Sequence, residues 1–236
     1  MASAKVAVVV GVGPGLGLAL ARRFAAGGFA VAVAGRDRQK LDRLIEGETG
    51  ATLRPYACDA SDGPSVASLF QSVASDLGDP SLVVYNASGM VRGSVLDLDP
   101  ALVEKAWRVG CLGGLHVGQQ AGRRMVAKGS GTILFTGATA SLRGGANFAG
   151  FAIGKFGLRA LSQSLARDLG PRGIHVAHVI VDGHIASERH RDYQASHGAD
   201  SALDPAAIAE AYWQLHLQPR SAWTQELDLR PWVEKF

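Results

Sequence analysis

A glycine-rich segment near the start of the sequence has the composition of a phosphate-binding turn. The apolar run Val6–Val10 leads into it, and a stretch with helical periodicity follows it. Glycine permits positive φ and lets a ligand approach the main chain, while the start of a helix presents free N–H groups to an anion. A tight strand-to-helix turn without a ligand uses the same residue types, so the motif alone is a weak signal. Its position between a buried strand and a helix favours a pyrophosphate site made by Gly11, Gly13, Pro14, Gly15, Leu16 and Gly17.

The residues after the second predicted strand indicate which dinucleotide would bind. The strand Ala30–Ala34 is followed by Gly35 and Arg36, at the place where an acidic residue would accept hydrogen bonds from a ribose 2′-hydroxyl. The planar guanidinium of Arg36 is matched instead to phosphate oxygens. We therefore expect NADP as the cofactor in preference to NAD. A solvated surface charge at Arg36, followed directly by Asp37, is the alternative interpretation.

The spacing Gly11-x-x-x-Gly15-x-Gly17 resembles the TGxxxGxG turn of the short-chain dehydrogenase/reductase family, with Val10 in place of the threonine. Two further segments resemble the family, and the resemblance covers nearly the whole chain. Cys58-Asp59 resembles the segment whose aspartate hydrogen-bonds the adenine amine, and Asn86-Ala87-Ser88-Gly89 resembles the NNAG segment. Asp59 as a helix cap and Asn86 as a turn residue are the alternatives. The resemblance implies cofactor contacts at Cys58, Asp59, Asn86, Ala87 and Ser88.

The resemblance also identifies four catalytic positions, and three of them carry a different residue here. Family members use an asparagine, a serine that polarises the substrate oxygen, and a Tyr-x-x-x-Lys pair. Their tyrosine exchanges the substrate proton, and their lysine lowers the pKa of that tyrosine and holds the ribose. The matching positions here hold Gly110, Ala138, Phe151 and Lys155. Lys155 is expected to contact the cofactor, because it lies four residues after Phe151 on the same helix face, although a solvated lysine is the commoner case.

The loss of the phenol leaves two functions open. Phenylalanine cannot exchange a proton, and loss of a positioned general acid costs about 10² to 10⁴ in rate. Hydride transfer belongs to the cofactor, so an oxidoreductase with water or another side chain as the proton relay is one hypothesis. A catalytically inactive NADP-binding sensor, scaffold or oligomer subunit is the other. Thr139, Ser141, His184 and Tyr193 are the candidate replacement donors, each also compatible with a structural or solvated role.

The segment after the sixth strand resembles the family's PGxxxT turn. Asp182 stands at the proline and Ser187 at the threonine. The resemblance implies that the backbone of Gly183 to Ile185 meets the nicotinamide amide. We expect Ala138, Phe151, His184 and Tyr193 on the substrate side of the site.

The elements that must position these residues form an alternating pattern of strands and helices. Such alternation predicts an α/β fold with one doubly wound, Rossmann-like parallel sheet of about seven strands and helices on both faces. A single domain over residues 1–236 is expected, with 182–203 as a mobile loop or short helices. The predicted strands are Val6–Val10, Ala30–Ala34, Thr52–Ala57, Leu82–Tyr85, Thr132–Thr136, His175–Val181 and Glu226–Leu229. The predicted helices are Gly15–Ala26, Arg38–Glu48, Pro64–Leu77, Pro100–Lys128, Phe151–Leu169 and Pro205–Leu217.

Composition and charge exclude several classes of partner. The net charge is +3 and the basic residues are dispersed, which argues against nucleic acid. The two cysteines, Cys58 and Cys111, lie far apart, which is typical of a reducing compartment and predicts a cytoplasmic protein without a metal site. No apolar run approaches the roughly 20 residues of a membrane-spanning helix. We expect a small-molecule substrate, and the resemblance implies a homodimer or homotetramer.

Overall fold

The structure is a computed structural model that describes residues 5–48, 52–188 and 191–235, apart from the side chain of Arg191. Within these residues seven strands form one sheet in the order β3-β2-β1-β4-β5-β6-β7, and every neighbouring pair is parallel. The predicted α/β fold is thereby confirmed. The strands are β1 Lys5–Val10, β2 Phe29–Gly35, β3 Leu53–Ala57, β4 Leu82–Tyr85, β5 Gly131–Thr136, β6 Ile174–Val181 and β7 Glu226–Leu229.

Helices cover both faces of this sheet. Leu20 and Phe24 pack on one face together with Tyr212, and Phe70, Met125 and Leu158 pack on the other. Two covered faces explain why the central strands read as continuous apolar runs without alternation. The helices are α1 Leu16–Ala26, α2 Arg38–Ile45, α3 Gly63–Asp76, α4 Pro100–Trp107, α5 Gly113–Lys128, α6 Ala149–Leu169, α7 Arg191–His197 and α8 Pro205–Leu217.

Aspartates begin several of these helices. The Asp62 side chain accepts a hydrogen bond from the Ser65 N–H at 3.0 Å, and Asp99 accepts from Ala101 N–H at 2.8 Å. Each cap satisfies an N–H group that has no partner in the first helical turn, and Pro64 and Pro100 fit that turn because they lack this donor. Both predicted helix starts are confirmed.

The prediction of one uninterrupted α-helix over Pro100–Lys128 is wrong in its middle. The π-helical turn Arg108–Leu112 separates α4 from α5. The Tyr85 hydroxyl donates a hydrogen bond to the Val109 carbonyl, and a Cβ at Gly113 would lie 2.3 Å from that hydroxyl. A distant strand thus holds the turn in its wider form, which helical periodicity cannot reveal.

The segment 182–203 contains more order than a simple loop. It includes α7 and an isolated parallel bridge between Ile185 and Leu203. Its residues 189 and 190 lie outside the described residues.

The order of the strands places the site. The chain runs from β1 to β3 toward one edge and from β4 to β7 toward the other. Ligands of open parallel sheets bind where the order reverses, outside the carboxyl ends of the strands. The glycine turn after β1 and the segment after β4 meet at that point. In the described part of the chain, no helix combines the length and apolar character that crossing a membrane requires.

Candidate cofactor cleft and catalytic positions

A cleft of about 750 Å³ opens at the carboxyl ends of β1 to β4. This volume is within the usual range for small-molecule and cofactor sites. The cleft brings together nine of the predicted cofactor residues: Gly11, Gly13, Pro14, Arg36, Cys58, Asp59, Asn86, Ala87 and Ser88. Gly15, Leu16, Gly17, Lys155, Gly183 and Ile185 are not among its lining residues.

The glycines of the turn have distinct steric roles. Gly11 has φ +93°, and a Cβ there would lie 2.3 Å from the backbone nitrogen of Ala87. A Cβ at Gly17 would lie 2.7 Å from Cα of Val12, whereas Gly13 and Gly15 face open space. The lack of a side chain at Gly11 and Gly17 lets the turn pack tightly. The open space at Gly13 and Gly15 leaves the backbone of the turn accessible to a ligand.

Asn86 fixes the turn from the neighbouring strand. Its Nδ2 donates a hydrogen bond to the Gly11 carbonyl at 2.9 Å. No side chain caps Gly15 at the start of α1, and the first turn of α1 has no acidic residue. The N–H groups and the positive end of the helix dipole are therefore available to an anion.

The wall of the cleft beside β2 carries positive charge. Arg36 is exposed and makes no side-chain hydrogen bond or ion pair with the described residues. Asp37 is used differently, because its carboxylate caps α2 by accepting from the Lys40 N–H at 3.1 Å. That hydrogen bond holds the pKa of Asp37 below its usual value. Lys40 itself lines the cleft and adds a second positive charge.

Asp59 forms a local turn and does not cap a helix. Its Oδ1 accepts hydrogen bonds from the Ser61 hydroxyl at 2.7 Å and the Ser61 N–H at 2.9 Å. These bonds, with smaller effects of Arg36 and Lys105, lower the pKa of Asp59. The carboxylate thus stays ionised at the cleft wall.

Two cationic residues of the cleft, Lys40 and Lys105, were missed by sequence reasoning. Lys40 could have been found, because it lies in the first turn of the helix that follows Arg36. Lys105 could not, because α4 reaches the cleft only through the tertiary packing of the sheet.

Lys155 is buried beneath the catalytic positions. Its side chain is 3% exposed, and Nζ donates to the Thr136 carbonyl at 2.7 Å. Burial lowers the pKa of Lys155 to about 8. Its Nζ lies 5.7 Å from the centre of the Phe151 ring. The prediction that Lys155 and Phe151 lie on the same helix face is confirmed. Lys155 therefore faces a phenyl ring at the position where the family has a phenol.

The other two replaced positions carry small residues. Gly110 lies in the π-helical turn, where a Cβ would be 3.6 Å from Cα of Gly154, an ordinary contact. Ala138 follows β5, and its N–H donates to the Ser141 hydroxyl at 3.2 Å.

Of the four candidate replacement donors, Ser141 is enclosed in the protein. It is fully buried, and its Oγ lies 3.3 Å from Nε2 of His178. The His178 ring also lies near Glu226, with 3.5 Å between Nδ1 and Oε2. Arg159 holds the Glu226 carboxylate through two hydrogen bonds of 2.6 and 2.7 Å. Burial lowers the pKa of His178, so the imidazole is neutral.

The remaining candidates lie nearer the surface. The rings of His184 and Tyr193 are 4.4 Å apart, and Tyr193 stacks on His197 at 4.2 Å. Thr139 is half-buried, and its hydroxyl donates a hydrogen bond to Oδ1 of Asp182. The sequence identified Asp182 only as the residue that stands in place of the family's proline. It did not indicate this contact, because the two residues are 43 positions apart.

The backbone after β6 is already partly paired. The His184 carbonyl accepts from Leu203 N–H at 2.8 Å, and Ala186 N–H donates to the Leu203 carbonyl at 2.8 Å. Gly183 has φ +141°, and a Cβ there would lie 2.8 Å from Pro231. A nicotinamide contact of Gly183 and Ile185 stays a prediction. Within the described residues no three His, Cys, Asp or Glu side chains are grouped to hold a metal ion.

Comparison with known proteins extends these observations. A family model described as short chain dehydrogenase matches residues 5–197. The (−)-isopiperitenol/(−)-carveol dehydrogenase of Mentha piperita is 32% identical over 178 residues, covering 74% of this chain and 67% of that protein. The (21S)-21-acetoxyl-apo-melianone synthase SDR of Melia azedarach is 28% identical over 176 residues, covering 73% of this chain. The match spans 62% of the Melia protein, which is less than two thirds of its length.

Two solved structures resemble the chain over nearly its full length. A short-chain dehydrogenase from Rhodopseudomonas palustris is 37% identical with a TM-score of 0.82, covering 97% of this chain and 99% of that one. A metagenomic short-chain oxidoreductase in complex with NADP is 25% identical with a TM-score of 0.83, covering 97% and 98%.

Proposed function

This chain belongs to the short-chain dehydrogenase family, and from that membership we propose that it is an NADP-dependent oxidoreductase acting on a small alcohol or carbonyl compound. The observation that carries the proposal is the cleft at the carboxyl ends of β1 to β4, which combines an open glycine turn with a positively charged wall. The NADP bound to the metagenomic relative of the same fold supports the choice of cofactor.

The residues of the cleft, together with Gly15 and Lys155 outside its lining, fit such a dinucleotide. The open backbone at Gly13 and Gly15 would hold the diphosphate, and Arg36 with Lys40 would hold the 2′-phosphate. Asp59 would accept from the adenine amine, and the buried ammonium of Lys155 would donate to the ribose. When bound, the dinucleotide would supply the hydride donor or acceptor.

The chain itself would bind and orient the substrate and the dinucleotide. It would also move a proton without the phenol that other family members use. Phe151 gives the site an apolar wall and cannot take part in proton transfer. Positioning of the two reactants still lowers the activation barrier by several kcal/mol. The proposed activity is therefore present but slower than in a site with all four catalytic residues of the family.

The coincident loss of three polar side chains, at Gly110, Ala138 and Phe151, favours a second candidate function. In this alternative the protein binds NADP without turnover and serves as a sensor, scaffold or oligomer subunit. Both candidates share the cofactor cleft and differ only in chemistry.

The test separates binding from turnover. Purified protein is titrated with NADPH and NADH by fluorescence, and reduction of a panel of small carbonyl compounds is then measured before and after Phe151→Tyr. Tight NADPH binding with turnover in the unmodified protein supports the oxidoreductase. Tight binding without turnover in either form supports the non-catalytic candidate. The absence of binding to either dinucleotide contradicts both.

We also propose a homodimer or homotetramer in the cytoplasm. The support for the assembly is the apolar surface of α4 and α6, where Leu102, Ile153 and Phe156 are each more than two-fifths exposed. Sedimentation of the purified protein tests the assembly.

A further inference from the structure

A hydroxyl and a carboxylate meet where β5 and β6 end. Thr139, the residue directly after Ala138, donates its hydroxyl hydrogen to Oδ1 of Asp182. The two strands are parallel neighbours, so the contact lies at the sheet edge where ligands of such folds bind. The pair therefore stands beside the position at which the family carries its catalytic serine.

Asp182 is an unusual residue to bury. It is 1% exposed, and its Oδ2 has no hydrogen-bond donor among the described residues. The neighbouring cation is Arg230, whose nitrogen is 3.6 Å from Oδ2. An enclosed carboxylate without full hydrogen bonding costs free energy, and packing alone does not require one where the family has a proline.

We propose that Thr139 is the catalytic hydroxyl of this protein and that Asp182 is the base that acts through it. The inference rests on the proposed NADP-dependent function and assigns its proton transfer. Thr139 is half-buried and Asp182 is 1% exposed, so the threonine is the member of the pair that a substrate would meet.

The pair supplies a balanced route for oxidation of a small secondary alcohol. The alcohol carbon loses a hydride, with its two electrons, to the oxidised dinucleotide, and the C–O single bond becomes a carbonyl. The alcohol proton passes to Oγ of Thr139 as the Thr139 proton passes to Oδ1 of Asp182. The carbon is oxidised and the dinucleotide reduced, and Asp182 releases its proton to water when the product leaves. Carbonyl reduction runs the same steps backward.

The described groups around Asp182 are Arg230, Asp228 paired with that arginine, and Glu234 near Gly183. Alcohol oxidation uses the carboxylate of Asp182 as the proton acceptor, and carbonyl reduction uses its carboxylic acid as the proton donor.

The test compares Thr139→Val, Thr139→Ser and Asp182→Asn in the full chain. Alcohol oxidation with NADP⁺ is measured across pH, together with NADPH binding by fluorescence and the melting temperature. Thr139→Val and Asp182→Asn are expected to lower kcat by about 10² or more, with KM little changed, because a positioned proton acceptor is lost. Thr139→Ser keeps the hydroxyl and most of the rate.

Ser141→Ala provides the matched control, because it removes a buried hydroxyl close to Ala138 without touching the pair. Its pH profile is expected to match that of the unmodified protein, even if its melting temperature falls. A Thr139→Val variant that binds NADPH and oxidises alcohols at the unmodified rate overturns the pair and leaves the proposed function standing. NADPH binding without alcohol oxidation at any pH also overturns the pair and favours the non-catalytic candidate. Failure to bind either dinucleotide overturns the pair together with the function.

Discussion

Single residues set the charge of the cleft wall beside β2. Arg36 and Lys40 bring positive charge to the wall of the cleft beside β2, while the nearby acid, Asp37, is occupied as a helix cap. A 2′-phosphate would therefore meet charge of the opposite sign, and a 2′-hydroxyl would lack the usual acceptor.

Arg36→Gln is expected to weaken NADPH binding while leaving NADH binding nearly unchanged. A charged hydrogen bond contributes about 1.5 to 3 kcal/mol, so the loss is roughly tenfold to a hundredfold in Kd. Fluorescence titration with both dinucleotides measures it. Arg38→Gln is the matched control, because Arg38 pairs with Asp42 on α2 and does not line the cleft. Equal losses for NADPH and NADH would contradict the role assigned to Arg36.

Lys155→Met is expected to reduce cofactor affinity without reducing stability. The ammonium is buried with a lowered pKa, so an apolar side chain of similar length removes a desolvation cost. We expect a weaker NADPH titration and an unchanged or higher melting temperature. Lys128→Met, at the exposed end of α5, is the control for loss of a lysine. A variant that melts earlier and binds NADPH normally would make Lys155 a structural residue.

At the scale of elements, the π-helical turn Arg108–Leu112 connects one of the catalytic positions to the sheet. This position is Gly110, which matches the family's asparagine. Tyr85 of β4 holds the turn through the Val109 carbonyl. The turn that contains Gly110 is therefore supported by a strand residue.

Gly113→Ala is expected to destabilise the protein by about 1 to 3 kcal/mol, the usual cost of overpacking. The new Cβ would lie 2.3 Å from the Tyr85 hydroxyl and 2.6 Å from the Ala60 carbonyl. Urea unfolding measures the loss. Gly170→Ala is the control, because a Cβ there meets no atom within 4 Å. If both variants unfolded at the same urea concentration, the close packing at Gly113 would carry no energetic weight.

For the whole molecule, buried histidines link stability to pH. Burial lowers the pKa of His216 to about 4, and it also lowers the pKa values of His175 and His178. Above pH 6.5 these rings are neutral in both the folded and the unfolded chain. Below pH 6.5 the unfolded chain binds protons that the folded chain excludes, so stability falls with pH until the folded value is reached.

The free energy of unfolding is expected to fall as the pH decreases from 6.5 to 4. Each such histidine contributes up to about 1.4 kcal/mol per pH unit. Urea unfolding at several pH values measures the slope, and His216→Gln should reduce it. His197→Gln is the control, because His197 is exposed and makes only local contacts in α7. A slope unaffected by His216→Gln would assign the acid sensitivity to other groups.

The sequence alone determined the fold class, the strand positions and nine of the residues that line the cleft. Parallel strands covered on both faces have continuous apolar runs, and a phosphate-binding turn needs glycines at fixed spacing. Both features can therefore be recognised from short stretches of sequence. The three replaced catalytic residues could be read directly for the same reason.

Only the tertiary structure decided what surrounds those replacements. Thr139 and Asp182 are 43 residues apart, Lys105 reaches the cleft from a separate helix, and Tyr85 sets the π-helical turn from a strand. Each depends on side chains brought together by the order of the strands, and no local periodicity records such contacts. The burial of Ser141, which removes it as a proton donor, follows from the same packing.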